Sequence, residues 1–302
     1  MKCINIKRTI AYTALALMTI TLSSCSSDDP SNVSVITPQE TAKNDFDRWL
    51  DVNYVGAYNI KFVYRYSANE SDANYATVPV KYDEAIIMAH LVKYLCLETY
   101  DEVAGANFTR SNFPKMIYLI GDYEYMTNGD KIAGQAEKGK KILLSGVNYT
   151  SQNKNSAESM NDLYFHTIHH EFCHILNQNK PYSASFQKIT GSDYVAGMWS
   201  SEVYKVGYLS RGFISAYAQY SESEDFADML SIYVTNTPEK WNTWLKEAGQ
   251  DGKNKITAKL NVIRSYMSTS WGIDIDKLRD GLLRRESDVV NGKVNLTDLT
   301  IK

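Results

Sequence analysis

The chain has 302 residues, of which 44% are hydrophobic and 22% are charged. These fractions are typical of a globular protein and exclude a wholly disordered chain or a collagen-like fibre. The chain carries 32 Lys and Arg residues against 35 Asp and Glu residues, which is a net charge of −3 and not the basic excess of a nucleic-acid-binding protein. The sequence therefore predicts one or two folded domains with a sizeable core and no nucleic-acid partner.

Residues 1–24 have the pattern of an export signal. Lys2, Lys7 and Arg8 form a positive segment, and an uncharged, mostly apolar run follows over residues 10–22. This run is shorter than the roughly 20 residues of a membrane-spanning helix and is typical of a signal peptide. It ends in Leu-Ser-Ser followed by Cys25, an order that resembles the bacterial lipobox. We therefore predict lipidation of Cys25, which would hold the protein to a membrane; a plain secretory signal is the alternative.

A polar segment over residues 25–36 is rich in Ser, Asp and Pro and predicts a tether. Asp28 and Asp29 resemble the signal that sends some Gram-negative lipoproteins to the outer face of the outer membrane, although a solvated linker has the same composition. We therefore expect an outer-membrane lipoprotein that is exposed at the cell surface. The mature chain would keep only Cys96 and Cys173, and we expect no disulfide between them.

The segment from residue 37 to the end, 37–302, is predicted to be one folded domain. A Thr-Pro-Gln-Glu capping box at residues 37–40 predicts a helix to about residue 52. Periodicity predicts, in chain order, a strand at 59–66, a helix at 82–102, strands at 116–120 and 141–146 separated by glycine-rich segments, helices from residue 156 onward, a helix that starts at Thr237 and one that ends at Gly272. The predicted fold class is α+β, with a small mixed sheet within residues 37–178 and a mainly helical part over 179–302.

Four of the five histidines lie between residues 166 and 174, and they include an HExxH motif that starts at His170. Residues four apart share one face of a helix, so His170 and His174 can bind one zinc ion. Glu171 lies where it can reach a water molecule at that ion and act as a general base. His166 and Asn177 fall on the same face, whereas the apolar residues lie opposite. Histidines that merely satisfy core or surface contacts would leave this alignment unexplained.

A catalytic zinc site needs a third protein ligand and an open position. Lys180 stands where the metzincin class has its third histidine, so that class is excluded. An ExxxD pattern offers Glu224 as the ligand and Asp228 as a partner that accepts a hydrogen bond from a ligand histidine. A solvated acidic helix face is the alternative interpretation of Glu224, and Asp193 is a rival third ligand. Cys173 is predicted to be a small buried residue; as a fourth ligand it would make the metal structural.

These motifs resemble a known family. The run at residues 169–174 and the run at 224–228 resemble the gluzincin-type zinc metallopeptidases, and more closely the zinc-binding metallopeptidase lipoproteins of Gram-negative gut-type bacteria. That family is also described as substrate-import-associated zinc metallohydrolases. Further likenesses at residues 46–50, 58–62 and 134–137 extend the resemblance over most of the mature chain. The resemblance implies a zincin fold, with a small sheet over the active-site helix, and a place beside TonB-dependent importers and their capture lipoproteins.

The predicted function is a membrane-anchored zinc peptidase that hydrolyses peptide bonds, in peptides or proteins including glycoproteins, in association with nutrient import. Three candidates could donate a hydrogen bond to the developing oxyanion, namely Tyr217, Tyr220 and His166. The strand at 141–146 is predicted to be the sheet edge along which an extended peptide binds. One alternative is a non-catalytic lipoprotein on the same scaffold that captures peptides or glycans through its tyrosine-rich surface. Another is a protein whose metal is purely structural.

Overall fold

The computed structural model describes residues 42–67, 77–125, 131–132, 134–137 and 141–301, which combine a small sheet with many helices. The predicted signal peptide, Cys25, the tether and the capping box of residues 37–40 lie outside these residues. The strands are β1 (Lys61–Val63), β2 (Met116–Leu119), β3 (Glu124–Tyr125), β4 (Lys131–Ile132), β5 (Gly134–Glu137) and β6 (Lys141–Leu144).

The α-helices are α1 (Asp45–Leu50), α2 (Tyr82–Leu91), α3 (Glu98–Ala104), α4 (Ala106–Asn112), α5 (Thr150–Asn153), α6 (Ala157–Met160), α7 (His166–Asn179), α8 (Gln187–Thr190), α9 (Tyr208–Arg211), α10 (Glu222–Thr235), α11 (Pro238–Glu247), α12 (Gly249–Trp271) and α13 (Ile275–Val290). Three turns of π-helix continue these helices, Asp51–Gly56 after α1, Val92–Leu97 between α2 and α3, and Asn161–Phe165 between α6 and α7. Among the described residues, no helix is both long enough and apolar enough to cross a membrane.

The first described helix begins later than the sequence pattern predicts. Residues 42–44 are not helical, and α1 begins at Asp45. Asn44 is its N-cap: the Asn44 side chain accepts from the Asp47 backbone at 2.8 Å, and the Asp47 carboxylate accepts from the Asn44 backbone at 2.9 Å. The prediction of one continuous helix from residue 38 to 52 is therefore wrong at residues 42–44, because the capping box of Asn44 and Asp47 begins the helix at Asp45.

The main sheet has four strands in the order β1-β2-β6-β5. Strands β1, β2 and β6 are parallel, and β5 runs antiparallel to β6. The predicted mixed sheet and the α+β class are thus confirmed. The prediction that the strand at 141–146 forms the edge is wrong, because β6 lies between β2 and β5. All four residues of β6 are buried, as expected for an internal strand covered on both faces.

Helix α7 lies between the edge strand β5 and helix α10. Its apolar face is buried and includes Ile168, Phe172, Ile175 and Leu176, and Phe165 in the preceding turn is buried beside them. Phe172 packs against the rings of Tyr100 and Phe113, with centroids 4.9 and 4.8 Å away. This packing anchors one face of α7 in the core and turns its histidine-bearing face toward α10.

Helices in the C-terminal half have the predicted boundaries where a cap defines them. The Thr237 hydroxyl accepts from the Lys240 backbone at 3.2 Å and begins α11, with Pro238 at the first helical position. Gly272 ends α12 in the left-handed conformation, with φ of 70°. Cys96 and Cys173 are buried free thiols.

Candidate metal centre

Helix α7 brings two imidazoles together. His170 and His174 are separated by one helical turn, and their Nε2 atoms lie 3.1 Å apart. His170 is buried and His174 is partly buried, so the pair lies at the edge of the core with one side open.

Helix α10 supplies a carboxylate to the same point. The hydroxyl of Ser221 caps the helix by accepting from the Glu224 backbone at 3.4 Å, which places Glu224 in the first turn. Its Oε2 atom lies 3.0 Å from His170 Nε2 and 3.3 Å from His174 Nε2. Burial alone would raise the pKa of Glu224, but hydrogen bonds and charge interactions with the two histidines lower it to about 2. Glu224 is therefore a carboxylate at neutral pH.

The three atoms fit a zinc ion. Ligand atoms of a tetrahedral zinc, with bonds of roughly 2.0–2.1 Å, are separated by about 3.3–3.4 Å. The observed separations of 3.0, 3.1 and 3.3 Å are close to one face of such a tetrahedron. Two imidazoles and one carboxylate with a fourth position free are the donor set of catalytic zinc sites. Residues His170, His174 and Glu224 therefore have both the chemistry and the spacing to hold the metal.

Asp228 lies behind the ligands and is fully buried. Its Oδ1 atom is 2.8 Å from His170 Nδ1 and 3.2 Å from His166 Nε2, and its Oδ2 accepts from the Ser215 hydroxyl. Although burial opposes ionisation, the hydrogen bonds from His166 and His170 hold the pKa of Asp228 far below its usual value. The contact to Nδ1 fixes the His170 tautomer that presents Nε2 to a metal.

The electrostatics of the site favour a cation. Burial lowers the pKa of His170, but the hydrogen bonds that its ring nitrogens donate to Asp228 and Glu224 outweigh burial and raise the pKa to about 10. The two carboxylates thus attract either a proton or a metal ion to the histidine pair, and a divalent ion satisfies the whole group at once.

Glu171 is partly buried beside the ligands, and it is not one of the atoms that converge on the metal position. Burial raises its pKa, and the charges of His170 and His174 oppose that rise. A carboxylate whose pKa lies above its ordinary value can exchange a proton with water nearer to neutral pH.

The three candidate oxyanion donors differ in position. Of the two tyrosines Tyr217 is the nearer to the ligands, with its ring 6.1 Å from that of His170. Burial and the Glu224 charge raise the pKa of Tyr217 well above its usual value, so it stays a donor. Tyr220 stacks on Tyr217 at 5.9 Å, one ring further from the centre, and is half-exposed. The Nε2 atom of His166 is directed at Asp228 instead.

Asp193 and Cys173 lie away from the converging atoms. The Asp193 carboxylate lies 3.7 Å from the Lys255 ammonium. Among the described residues, two groups of side chains lie close enough to hold a metal ion, His170 with His174 and Glu224, and His166 with His170 and Asp228, and neither includes Asp193. The Cys173 thiol is buried and accepts from the Asn177 amide at 3.7 Å, and burial raises its pKa. The geometry thus brings three ligands together, which leaves room for a substrate or water.

Sequence reasoning missed the buried ion pair that fixes α10. Asp225 and Lys259 are both fully buried and 2.6 Å apart, and the Tyr194 hydroxyl donates to Asp225 at 2.8 Å. The acidic run of α10 is therefore not a solvated face, because Asp225 anchors the helix on one side while Glu224 reaches the histidines. Ser215 was also missed: its hydroxyl donates to Asp228 and accepts from the Ala218 backbone at 2.9 Å. A short sequence pattern gives no signal for either contact.

Comparison with known proteins agrees with this geometry. Residues 39–276 match the family described as "Putative zinc-binding metallo-peptidase". The fold is similar to the crystal structure, at 2.10 Å resolution, of "a putative zinc-binding metallo-peptidase" from Bacteroides caccae, with a TM-score of 0.73 and 34% identity over 88% of this chain and 100% of that one. No match was found among the curated proteins. The resemblance predicted from the motifs is confirmed: this chain belongs to the family of "putative zinc-binding metallo-peptidases".

Proposed function

We propose that this protein is a zinc-dependent peptidase whose metal is held by His170, His174 and Glu224. The observation that carries the proposal is the convergence of one atom from each of these residues to within 3.0–3.3 Å of the others. Glu171 lies in the adjacent position on the same helix, where a general base is needed. A scaffold that only captured peptides would have no use for this base.

The chemistry follows from the roles that each residue can take. A bound zinc ion would supply Lewis acidity, which acidifies a water molecule and polarises the carbonyl group of the substrate. Glu171 takes the proton from the attacking water and later donates it to the leaving amine nitrogen. Asp228 holds His170 in the tautomer with Nδ1 protonated. Tyr217 donates a hydrogen bond to the developing oxyanion, because His166 is directed at Asp228 and Tyr220 lies one ring further from the ligands.

Metal content tests the ligand set. We expect one zinc per chain in the wild type, loss of zinc in Glu224→Ala and retention in Asp193→Ala, which removes a carboxylate that pairs with Lys255 instead. Elemental analysis of the purified domain measures all three. Loss of zinc only in Asp193→Ala would refute the ligand set, and stoichiometric zinc in none of the proteins would favour the capture lipoprotein.

Peptide-library cleavage tests the reaction itself. Glu171→Gln keeps the size and burial of the side chain but cannot accept a proton from water. We expect this variant to hold zinc as the wild type does and to cleave no peptide. Substantial residual turnover by Glu171→Gln would contradict the general-base role, and a wild type that holds zinc but cleaves nothing would contradict peptidase activity.

The N-terminal sequence supports a further part of the proposal. We propose that Cys25 carries a lipid, that the protein is anchored in the outer membrane, and that it supplies peptides or glycopeptides to a TonB-dependent importer and its capture lipoprotein. The lipobox order and the following acidic residues support the lipid anchor and its membrane, and the family resemblance alone suggests the importer. Metabolic labelling with a palmitate analogue should mark the wild type and not Cys25→Ser. A wild-type protein that stays unlabelled and unattached to membranes would refute the anchor.

A further inference from the structure

A loop over residues 195–206 is built of consecutive turns. Its backbone bonds include Met198 N to Val195 O at 3.2 Å, Trp199 N to Ala196 O at 3.2 Å and Tyr204 N to Ser201 O at 3.0 Å. Ala196 has a φ of 47°, a conformation that alanine adopts only when its surroundings impose it. The loop is therefore held in a defined shape.

Hydrogen bonds from Arg211 and Gln219 connect this loop to the rest of the protein. Arg211 donates to the carbonyl groups of Tyr204 at 2.9 Å and Val206 at 2.8 Å, and to the side chain of Gln219 at 2.8 Å. Gln219 is fully buried. Its side-chain amide donates to the Tyr204 carbonyl at 2.9 Å, and its backbone carbonyl accepts from the Val195 backbone at 2.8 Å. The loop thus presents a preformed surface.

That surface is apolar and exposed. Met198 is 56% exposed, Val203 71% and Val206 59%. The two charged side chains of the loop, Glu202 and Lys205, pair with each other at 2.5 Å. Hydrophobic burial does not explain an ordered loop that directs three apolar side chains into solvent. Contiguous exposed apolar surface on a folded domain commonly marks a binding site.

The loop contacts the metal centre through Trp199. The Trp199 ring lies 5.2 Å from that of Tyr217, edge to face, and the Tyr217 ring lies 6.1 Å from that of the ligand His170. Tyr220 stacks on Tyr217, so Tyr217 contacts both Trp199 and Tyr220. An aromatic wall thus runs from the metal ligands to the exposed apolar loop.

We propose that Trp199, with Met198 on the same turn, is a specificity-determining residue that binds an apolar side chain of the peptide substrate beside the bond to be cleaved. This inference rests on the proposed function. The exposed side chains of the loop favour an apolar occupant over a sugar, because sugar recognition needs unpaired polar groups next to the aromatic ring and the loop's charged groups bond each other.

Binding measured without turnover gives the first test. Zinc-loaded Glu171→Gln is the background, and the probes are fluorescent peptide pools that carry Phe, Leu or Asp at one fixed position. One apolar contact of this kind discriminates by about tenfold or more. We expect the Phe and Leu pools to bind at least about tenfold more tightly than the Asp pool, and Trp199→Ala to remove that preference. Trp199→Phe should restore most of it.

Trp271→Ala is the matched control, because Trp271 is also partly buried but packs on Phe108 at the end of α12 and has no ring contact with Trp199 or Tyr217 among the described residues. It should leave the preference unchanged. In proteins with Glu171 intact, Trp199→Ala should raise KM for apolar peptides about tenfold and change kcat by less than about threefold. Zinc content and Tm verify that Trp199→Ala remains folded.

The outcomes separate this inference from the proposed function. A preference that survives in Trp199→Ala, or equal binding of all three pools, overturns the inference even when the wild type cleaves peptides. Tighter binding of a glycopeptide pool than of the Phe pool also overturns it. A wild type that cleaves nothing, yet prefers the Phe pool through Trp199, overturns the proposed activity and upholds the binding surface.

Discussion

Glu286 offers a quantitative test of how burial controls the stability of this protein. It lies on α13, is 1% exposed, and neither of its carboxyl oxygens has a hydrogen-bond partner among the described residues. Burial raises the pKa of Glu286 from 4.5 to about 8, and the nearby Asn161 amide opposes only part of that rise. The carboxyl group is thus mainly neutral in the folded protein at neutral pH.

The raised pKa makes stability depend on pH. Below pH 4.5 Glu286 is protonated in both the folded and the unfolded state, so burial of this neutral group does not make stability depend on pH. As pH rises from 4.5 toward 8, the unfolded chain releases the proton while the folded chain keeps it, so stability falls. At about 1.36 kcal/mol per pH unit, the loss reaches roughly 3 kcal/mol at pH 7 and levels off near 5 kcal/mol above pH 8.

The variant Glu286→Gln removes this dependence, because Gln has nearly the same shape and no ionisable group. Its amide can also donate to Asn161 Oδ1, which has no partner among the described residues. Urea unfolding, followed by tryptophan fluorescence between pH 5 and pH 9, measures the free energy of unfolding. We expect near-equal stability at pH 5 and a variant that is more stable by about 3 kcal/mol at pH 7.

The exposed residue Glu247 provides a matched control, and Glu247→Gln should change stability by less than about 0.5 kcal/mol at every pH. A Glu286→Gln protein that is less stable than the wild type at pH 7, or whose difference from it does not grow with pH, would refute the argument from burial.

Three further predictions concern the supports of the site. Lys259→Met leaves the Asp225 charge unpaired in the interior and should lower the free energy of unfolding by about 3–5 kcal/mol. Adding Asp225→Asn should recover part of this loss, and equal loss in the single and double variants would contradict the argument. Asp228→Asn weakens the hydrogen bond that orients His170 and should reduce zinc affinity about 10–100-fold, as measured by chelator competition. Unchanged affinity would contradict this role. Gly212 has a φ of 93°, and Gly212→Ala would place a Cβ atom 2.6 Å from the Cβ atom of Lys255. The resulting strain of about 1–3 kcal/mol should lower Tm, and an unchanged Tm would contradict this reasoning.

Features that depend on neighbouring residues were predictable. The spacing of His170 and His174 predicts their shared face, because one helical turn separates them wherever the helix lies. The caps at Thr237 and Gly272 predict helix ends for the same reason, since a cap is a contact within four residues. The apolar face of α7 was likewise predictable from its period and is buried as expected.

Features that depend on pairing along the sheet were less predictable. Strand β5 has the sequence Gly-Gln-Ala-Glu, which lacks β-branched and aromatic residues, and it exists because β6 offers it a hydrogen-bonding edge. The position of β6 inside the sheet follows from that pairing. Its continuous apolar sequence is consistent with an internal strand but equally with an edge strand packed in a core.

The sequence by itself determined the HExxH helix, the α+β class and the family, because local periodicity and short motifs carry that information. Only the tertiary structure decided which carboxylate faces the two histidines: Glu224, which lies 54 residues from His170 along the chain, and not Asp193. Only it showed that Asp225, next to Glu224, is buried against Lys259. A sequence shows which side chains are charged but not which of them are buried, because burial arises only when distant segments pack together and exclude water.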